Sequence, residues 1–288
     1  MIEVAERRAH RAWRTRTKKA ARHALCALRQ ANPQPATRNT QRTMSPDQSP
    51  ALTTDSLFDA RLKILQKKKG YRFSMDTAIL AHHVHLKPSD VAADLGTGCG
   101  VIPLILALQA PSATIYGIEI QKDLAELASR NVQLNGMEAI ITIIHTDMKD
   151  LKSRLEPGKF DVVFSNPPYR QVLTGRVNPQ AERAVARHEI KATLSDVASV
   201  AESLLKPSGR LVVIYPAARA VDLMVRMRAF KIEPKRLRLV HPRQGSEAIL
   251  VVAEGVKHGK PGLNISPPLT IFTSDGSYTE EARKMMGE

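Results

Sequence analysis

An amide and two prolines follow the apolar run FDVVF, in the stretch Ser165-Asn166-Pro167-Pro168-Tyr169. The side-chain oxygen of Asn166 and the carbonyl oxygen of Pro167 can each accept one hydrogen of a planar NH2 group. The prolines fix the backbone, so these acceptors are pre-organised, and the ring of Tyr169 can stack on a flat base or amide. An isolated stretch of this kind is usually a turn. At the end of a buried strand, it predicts transfer of a group to a planar amine.

A glycine-rich loop, DLGTGCG at 94–100, lies where a predicted strand turns into a helix. Glycines at this position let the backbone approach a ligand closely and direct the start of the helix towards it. A dinucleotide-binding fingerprint would have its third glycine at position 101, where this chain has Val101. The loop therefore indicates a nucleotide-like ligand and disfavours NAD.

Three acidic residues end successive predicted strands, namely Asp94, Glu119 and Asp147. A carboxylate at Glu119, 25 residues after Asp94, can accept hydrogen bonds from both hydroxyls of a ribose, and Asp147 is placed to meet an adenine edge. The carboxyl ends of parallel strands meet at one edge of a sheet, and Asn166 ends the next strand along the chain. Together with the glycine loop, these residues predict a nucleoside pocket beside Asn166.

Short runs rich in β-branched residues alternate with helical patterns from about residue 91. Strands are predicted at 91–96, 114–120, 141–147, 160–166 and 210–216. Helices are predicted at 101–110, 122–134, 189–205 and 217–230. This alternation is typical of a doubly wound α/β fold with a mostly parallel, Rossmann-like sheet. We expect seven strands in all.

The last two of these strands, 235–240 and 247–255, are joined only by HPRQGS. This connection is too short for a crossover helix, so we expect a C-terminal antiparallel hairpin. The PGLNISPPL segment that follows is predicted to lie extended on the sheet edge.

The charge of the chain is unevenly distributed. Of the net +15, residues 1–43 carry eleven Lys and Arg against two acids, or +9, which leaves +6 for the other 245 residues. Such a segment cannot offset its ordering entropy by burial, so we predict a basic, disordered extension at 1–50 and a single domain at 51–288. We expect Met44 to be the biological start. The alternative is a basic arm that binds RNA.

Composition also indicates the cellular compartment and argues against a membrane span and a metal site. The longest apolar stretch, VIPLILAL at 101–108, has eight residues, too few for a membrane span. With two cysteines there is no disulfide framework, which favours a reducing, cytoplasmic setting. The histidines at 82, 83 and 85 have no accompanying cysteine or carboxylate cluster, so we expect no metal site. We expect no membrane contact and a monomer.

The combination of DLGTGCG, Glu119, Asp147 and NPPY resembles class I S-adenosylmethionine-dependent methyltransferases that act on amino groups. Further stretches, which together extend the resemblance to roughly residues 55–282, are similar to bacterial N6-adenine methyltransferases that act beside the anticodon of a valine tRNA. They are YRFSMDTAILA, NPPYR, VNPQAERAVARHEI, EPKRLRLVHP and KPGLNISPPLTIFTSDGSYTEE. The resemblance implies a methyltransferase domain, S-adenosylmethionine as donor, S-adenosylhomocysteine as product and tRNA as substrate.

The resemblance also implies roles for individual residues. It assigns to the donor Phe73, Asp76, Asp94, Gly96, Gly98, Gly100, Glu119, Asp147 and Asn166. Among these, Asp94 and the glycines would border the methionine and ribose, Glu119 would hold the ribose, and Asp147 the adenine. It assigns to the target amine Asn166, Pro167, Pro168 and Tyr169.

Basic clusters around the predicted site favour an RNA substrate, because phosphate contacts supply most of the affinity of nucleic-acid enzymes. We predict RNA contacts from Arg170, Arg176, Arg183, Arg187, Lys235, Arg236 and Arg238. The terminal hairpin also carries Arg243. Related NPPY enzymes methylate DNA adenine, rRNA guanine or the glutamine of release factors, and these substrates remain alternatives. An RNA-binding or assembly factor without turnover is a further alternative, of a different class.

Overall fold

Strands and helices alternate through most of the chain in its computed structural model, which describes residues 52–68, 73–168 and 193–287. Numbered in chain order, the strands are β1 (Leu52–Leu57), β2 (Leu62–Lys67), β3 (Val91–Leu95), β4 (Thr114–Glu119), β5 (Ile141–His145), β6 (Phe160–Ser165), β7 (Leu205–Pro216), β8 (Ile232–Arg243), β9 (Leu250–Lys257), β10 (Asn264–Ile265) and β11 (Leu269–Phe272). The α-helices are α1 (Met75–His83), α2 (Val101–Gln109), α3 (Lys122–Leu134), α4 (Leu194–Leu204), α5 (Ala220–Ala229) and α6 (Glu280–Met286). Short 3-10 helices span Met148–Ser153 and Ala217–Arg219.

Nine of the described strands form one sheet, in the order β10-β8-β9-β7-β6-β3-β4-β5, with β11 also pairing with β8. Strands β5, β4, β3, β6 and β7 run parallel, and β9 runs antiparallel to both β7 and β8. The predicted α/β fold is therefore confirmed, including its terminal antiparallel pair. The tail predicted to lie on the sheet edge does so, as β10 and β11 pair in parallel with β8.

The order of the strands creates a crevice at the carboxyl end of β3. From β3 the chain moves outward to β4 and β5, and then returns to pair β6 with the other side of β3. The connections leaving β3 and β6 therefore diverge, and ligands of doubly wound sheets bind at such a switch point. The glycine loop follows β3 and Asn166 follows β6, so the fold brings both to this crevice.

The sheet forms because its strands bury side chains on both faces. In β6, Val162, Val163 and Phe164 are fully buried, as continuous runs of β-formers in a central parallel strand require. Helix α2 is buried along Val101–Ala107, whereas α3 is amphipathic. Within the described part of the chain, no helix combines the length and apolar character needed to span a membrane.

Strand β7 begins earlier than the predicted strand at 210. Leu205 already pairs with Phe160, and the register then shifts before Val162 pairs with Arg210. Ser208 in the intervening PSG stretch has φ 64°. This stretch therefore forms an irregularity within β7 and not a turn that precedes the strand.

The hairpin β1–β2 was not predicted. Its strands pair antiparallel from Leu52 opposite Lys67 to Leu57 opposite Leu62, and they form a separate two-stranded sheet. The turn contains Phe58, Asp59 and Ala60, all at positive φ, without the glycine or asparagine that normally indicates such a turn.

Candidate active site

The glycine loop connects β3 to α2 with three glycines in the left-handed region, Gly96 at φ 85°, Gly98 at φ 60° and Gly100 at φ 83°. A side chain at any of these positions would be strained. At Gly100 space is also short, since a Cβ there would lie 3.2 Å from the Cβ of Ala128 on α3. The loop therefore turns tightly and packs closely against α3.

Glu119, the last residue of β4, is oriented by the loop. Its Oε2 accepts a 2.9 Å hydrogen bond from the backbone N–H of Gly98, and its Oε1 accepts one of 2.9 Å from the N–H of Gln121. Only 4% of the residue is exposed. Burial raises the pKa of Glu119 above its ordinary value, and the hydrogen bonds from Gln121 and Gly98 oppose that rise. The carboxylate is thus held in one orientation beside the loop.

Asp94 carries the least satisfied polar group of the described structure. Its side chain is fully buried at the end of β3, and neither carboxylate oxygen accepts a hydrogen bond from a described residue. Burial raises the pKa of Asp94 from 3.8 to about 7, and the charge of Glu119 adds to the rise. The Thr97 hydroxyl opposes this rise in the pKa, although it lies near the carboxylate outside hydrogen-bond geometry and has no other partner among the described residues. A buried carboxyl group without a partner, next to a glycine loop, fits a cationic or hydrogen-bond-donating ligand.

Asp147 follows β5 and begins the 3-10 helix Met148–Ser153. Its Oδ1 accepts a 3.0 Å hydrogen bond from the N–H of Lys149, and its Oδ2 lies 3.6 Å from Lys149 Nζ. Because Asp147 follows β5, which pairs in parallel with β4, it lies at the same carboxyl edge of the sheet as Glu119. Its contact with an adenine remains a prediction.

Ser165 joins the end of β6 to the glycine loop, and Asn166 follows it directly. The backbone register pairs Asp94 with Phe164, and the buried Ser165 donates a 2.6 Å hydrogen bond from Oγ to the carbonyl oxygen of Leu95. Asn166 is half-buried, Pro167 is buried and Pro168 is exposed. Tyr169 lies outside the described residues. The structure thus brings the amide predicted to bind the target next to the loop predicted to bind the donor.

The segment Phe73–Asp76 lies at the start of α1. The N–H of Phe73 donates a 2.8 Å hydrogen bond to Gln66 Oε1, while the Asp76 carboxylate accepts from Ser74 Oγ and from the N–H of Thr77. Hydrogen bonds thus connect this segment to β2. The sequence interpretation missed the role of Gln66 here.

The predicted RNA contacts divide into two groups. Arg170, Arg176, Arg183 and Arg187 lie outside the described residues. Lys235, Arg236 and Arg238 lie on β8. When the strand pairing is followed from β6 through β7 and β9 to β8, Ser165 lies at the same level of the sheet as Leu237. Lys235 and Arg236 therefore precede the level at which β6 ends. The sequence predicts that these cations lie near the site. It does not show whether they lie before or beyond the level at which β6 ends.

The guanidinium group of Arg238 is used within the molecule. Nε donates to the carbonyl oxygen of Pro267 at 2.9 Å, Nη2 donates to Glu281 Oε2 at 2.9 Å, and Nη1 lies 3.3 Å from His83 Nε2. Burial lowers the pKa of His83, with a smaller contribution from the Arg238 charge, so the neutral imidazole can accept this hydrogen bond. Arg238 thus fastens the C-terminal segment to the sheet.

Arg243 ends β8 about six residues, or roughly 20 Å, beyond the level of Ser165. The residue is exposed, and its guanidinium lies 5.9 Å from the centre of the Phe272 ring, which stacks on Tyr278 with centroids 5.1 Å apart. No carboxylate of the described residues forms an ion pair with it. Arg219, which follows β7, is by contrast paired with Asp222 at 3.1 Å.

A doubly wound sheet with a glycine loop, buried acids at the ends of β3 and β4, and an Asn-Pro-Pro stretch at its switch point is typical of a transferase that uses a nucleoside cofactor. The sequence model of the family described as Methyltransferase small domain matches residues 71–228, more than half of the chain, and the chain belongs to this family. It is an enzyme whose class takes the methyl group from S-adenosylmethionine.

Relatives extend the comparison. The chain is 32% identical over 193 residues to a protein of Porphyromonas gingivalis named tRNA1(Val) (adenine(37)-N6)-methyltransferase, covering 65% of this chain and 74% of that one. A Tolumonas auensis protein of the same name is 25% identical over 75% of this chain and 88% of its own. A crystal structure described as a predicted O-methyltransferase from Agrobacterium tumefaciens superposes with a TM-score of 0.60 at 20% identity, over 73% of this chain and 94% of that one. That likeness concerns the fold alone.

Proposed function

We propose that this chain methylates N6 of an adenine in tRNA, and that the target lies in the anticodon loop of a valine tRNA. The observation that carries the proposal is the position of Asn166 and Pro167, which follow β6 beside the glycine loop and are tied to it through Ser165 and Leu95. The names of the Porphyromonas and Tolumonas relatives support the choice of tRNA and of adenine.

The residues at the crevice fit the proposed donor. S-adenosylmethionine is a nucleoside that carries a sulfonium and an ammonium group, and it supplies a methyl group on the sulfonium. The buried, unpartnered carboxyl of Asp94 suits its positive charge, and Glu119 suits the ribose hydroxyls. Gly96, Gly98 and Gly100 leave room for close approach, Asp147 would meet the adenine, and Phe73 and Asp76 would border the pocket together with Asn166.

The target amine is oriented by acceptors. Asn166 Oδ1 and the carbonyl oxygen of Pro167 each accept one N–H of the adenine amino group, and Tyr169 stacks on its ring. Both acceptors favour a more tetrahedral nitrogen, whose lone pair then points at the methyl group. Because the nitrogen loses its proton after it has become cationic, no strong base is needed. The chain therefore contributes orientation and pre-organised dipoles, as is usual where positioning supplies most of the rate.

RNA binding is proposed on the surface beyond the carboxyl ends of the strands, where the substrate must lie. Arg243 extends past the level of Asn166 on β8, three strands from β6, which corresponds to about 14 Å across the sheet. Its exposed guanidinium, without an acidic partner among the described residues, fits a phosphate of the stem next to the loop. Arg170, Arg176, Arg183 and Arg187 follow the Asn-Pro-Pro-Tyr stretch and would contact RNA nearer to the target base. An anticodon-loop adenine has no Watson–Crick partner to lose on entering the pocket.

The proposal includes one methyltransferase domain at 51–288. Residues from Leu52 onward form one compact unit, which supports it. The basic segment 1–50 is proposed as an extension outside this domain, and a chain that begins at Met44 should methylate tRNA as fast as the full chain. We further propose a cytoplasmic monomer that works without a metal ion.

The role of Asn166 is tested by separating donor binding from transfer. Asn166→Ala should reduce transfer to bulk tRNA about 100- to 1,000-fold, the range seen when one pre-organised polar group is removed from an active site, and should leave the Kd for S-adenosylhomocysteine within about twofold. Asn264→Ala, at an exposed asparagine of β10, is the matched control. Equal loss of binding and transfer in Asn166→Ala would contradict the assigned role.

A further inference from the structure

Two asparagines, Asn131 within α3 and Asn135 directly after its last residue, take the place of a neighbouring strand for β2. Asn135 accepts from the N–H of Lys63 at 2.9 Å and donates to its carbonyl oxygen at 2.8 Å. Asn131 accepts from the N–H of Leu65 at 2.7 Å and donates to its carbonyl oxygen at 3.0 Å. Each side-chain amide therefore satisfies one donor and one acceptor on the edge of β2 that does not pair with β1.

The match follows from the dimensions of the two elements. Residues four apart on a helix are separated by about 6 Å along its axis, and residues two apart on a strand by about 6.7 Å. Asn131 and Asn135 are four apart, whereas Lys63 and Leu65 are two apart and direct their backbone groups to the same edge. The pair of amides thus fixes the position of the hairpin along α3.

Asn131 makes one contact that Asn135 does not make. Its Nδ2 also donates a 2.9 Å hydrogen bond to the carbonyl oxygen of Cys99, within the glycine loop. The side chain is fully buried, and its amide uses both hydrogens and its oxygen. One turn earlier on the same face, Ala128 contacts the loop at Gly100. Helix α3 therefore holds the loop by packing at one point and by a hydrogen bond at the next.

Strand β2 also reaches the second donor segment. Gln66 is 1% exposed, its Oε1 accepts the 2.8 Å hydrogen bond from the N–H of Phe73, and its Nε2 donates to the Asp55 carboxylate on β1. The hairpin is thus connected by buried amides to both stretches that the proposed donor site uses, the glycine loop through Asn131 and the start of α1 through Gln66.

We infer that Asn131 is a positioning residue for the methyl donor, held in place by the β1–β2 hairpin. It fixes the Cys99 carbonyl, and with it the orientation of the peptide groups that follow Gly98, whose N–H contacts Glu119. An amide in this position keeps the loop in its binding conformation before the donor arrives, which lowers the ordering cost of binding. This inference rests on the donor site proposed above.

The test compares Asn131→Ala with Asn135→Ala in the full chain. Both variants remove two hydrogen bonds to β2. Asn131→Ala also removes the bond to the Cys99 carbonyl oxygen in the glycine loop, whereas Asn135→Ala also removes a 2.7 Å bond to the carbonyl oxygen of Asn131 and none to the loop. We expect Asn131→Ala to raise the Kd for S-adenosylhomocysteine, measured by calorimetry, about 5- to 10-fold, the size of one buried hydrogen bond, and Asn135→Ala to change it less than about twofold. Transfer to tRNA at saturating donor should be nearly equal in the two variants, so that the difference lies in KM for the donor.

Hydrogen exchange on the donor-free protein supplies a readout that a general loss of stability would not produce. Amides of the peptide covering 94–102 should exchange faster in Asn131→Ala and not in Asn135→Ala, when the two are compared at equal stability in urea. If Asn131→Ala does not fold, the wild-type chain decides: saturating S-adenosylhomocysteine should slow exchange at Lys63 and Leu65, because coupling between two sites is reciprocal.

The outcomes are distinct. Wild-type protein that binds no S-adenosylhomocysteine overturns both the donor site and this inference. Wild-type binding together with equal affinities in the two variants, or with unchanged exchange at Lys63 and Leu65, overturns this inference and leaves the proposed function standing.

Discussion

Ser165 donates a 2.6 Å hydrogen bond from its Oγ to the carbonyl oxygen of Leu95. The two residues end neighbouring parallel strands, and each is followed directly by a predicted functional stretch, Asn166 after one and the glycine loop after the other. Because Ser165 is fully buried, the bond has no competition from water. Donor loop and acceptor amide are therefore fastened to each other at the switch point, which suits a reaction that depends on the alignment of two substrates.

Asp94 should make the donor-free enzyme less stable as the pH rises. Its pKa of about 7 in the folded protein lies above the ordinary 3.8, so the folded state binds more protons than the unfolded state between these values. The resulting cost grows from about pH 4 to about pH 7 and is constant above, reaching about 4 kcal/mol by the linkage of 1.36 kcal/mol per pKa unit. Asp94→Asn should therefore raise the Tm more at about pH 8 than at about pH 5.

The same substitution should weaken binding of S-adenosylhomocysteine, because the amide no longer offers a negative charge to the ammonium group that this product shares with the donor. Thermal melts at both pH values, with and without S-adenosylhomocysteine, measure the two effects. Glu138→Gln makes the same acid-to-amide change at an exposed position and should show neither. A Tm gain that does not depend on pH would contradict the account of Asp94.

Arg243 and Arg236 give competing predictions for the RNA surface. Both are exposed arginines of β8, but only Arg243 extends beyond the level at which β6 ends. Loss of one phosphate contact should weaken tRNA binding about 3- to 10-fold and reduce the slope of log K against log salt by about 1. We expect this result for Arg243→Gln. A larger effect of Arg236→Gln would place the RNA contact of β8 in its first half, at one of the residues predicted from the sequence.

Arg238 should act on stability. Its hydrogen bonds to Pro267, Glu281 and His83 hold the C-terminal segment, so Arg238→Ala should lower the free energy of unfolding by about 2 kcal/mol. A double-mutant cycle with Glu281→Ala should give a coupling energy of about 1 kcal/mol, since Glu281 is half-exposed. Urea unfolding measures both values. Unchanged stability with a raised KM for tRNA would show that Arg238 contacts RNA.

The centre of the site could be predicted from the sequence because it depends on the ends of buried strands. Runs such as FDVVF must be buried in a parallel sheet, and the geometry of that sheet brings the residues after each run to one edge. Asp94, Glu119 and Asn166 were placed there from sequence and lie there in the structure. Their roles towards donor and target remain predictions.

The residues that hold the segments of the site in place could not be predicted in the same way. Gln66 occupies a buried position of β2 where the alternation of Leu62 and Ile64 calls for an apolar residue, and its partners lie on other elements. The spacing of Asn131 and Asn135 was visible, but one helix alone does not show that a strand edge lies against them. The sequence likewise shows that Arg238 and Arg243 are cations, but not that Arg238 is paired with Glu281 or that Arg243 lies beyond the level at which β6 ends.

The central claim is tested most directly by transfer of labelled methyl groups from S-adenosylmethionine to unmodified tRNA, ribosomal RNA and a peptide release factor, followed by nucleoside analysis of any labelled RNA. The account predicts label in tRNA, recovered as N6-methyladenosine, and lost when the anticodon-loop adenine of the valine tRNA is replaced by guanine. Label in the release factor or in ribosomal RNA, with none in tRNA, would contradict the proposed substrate.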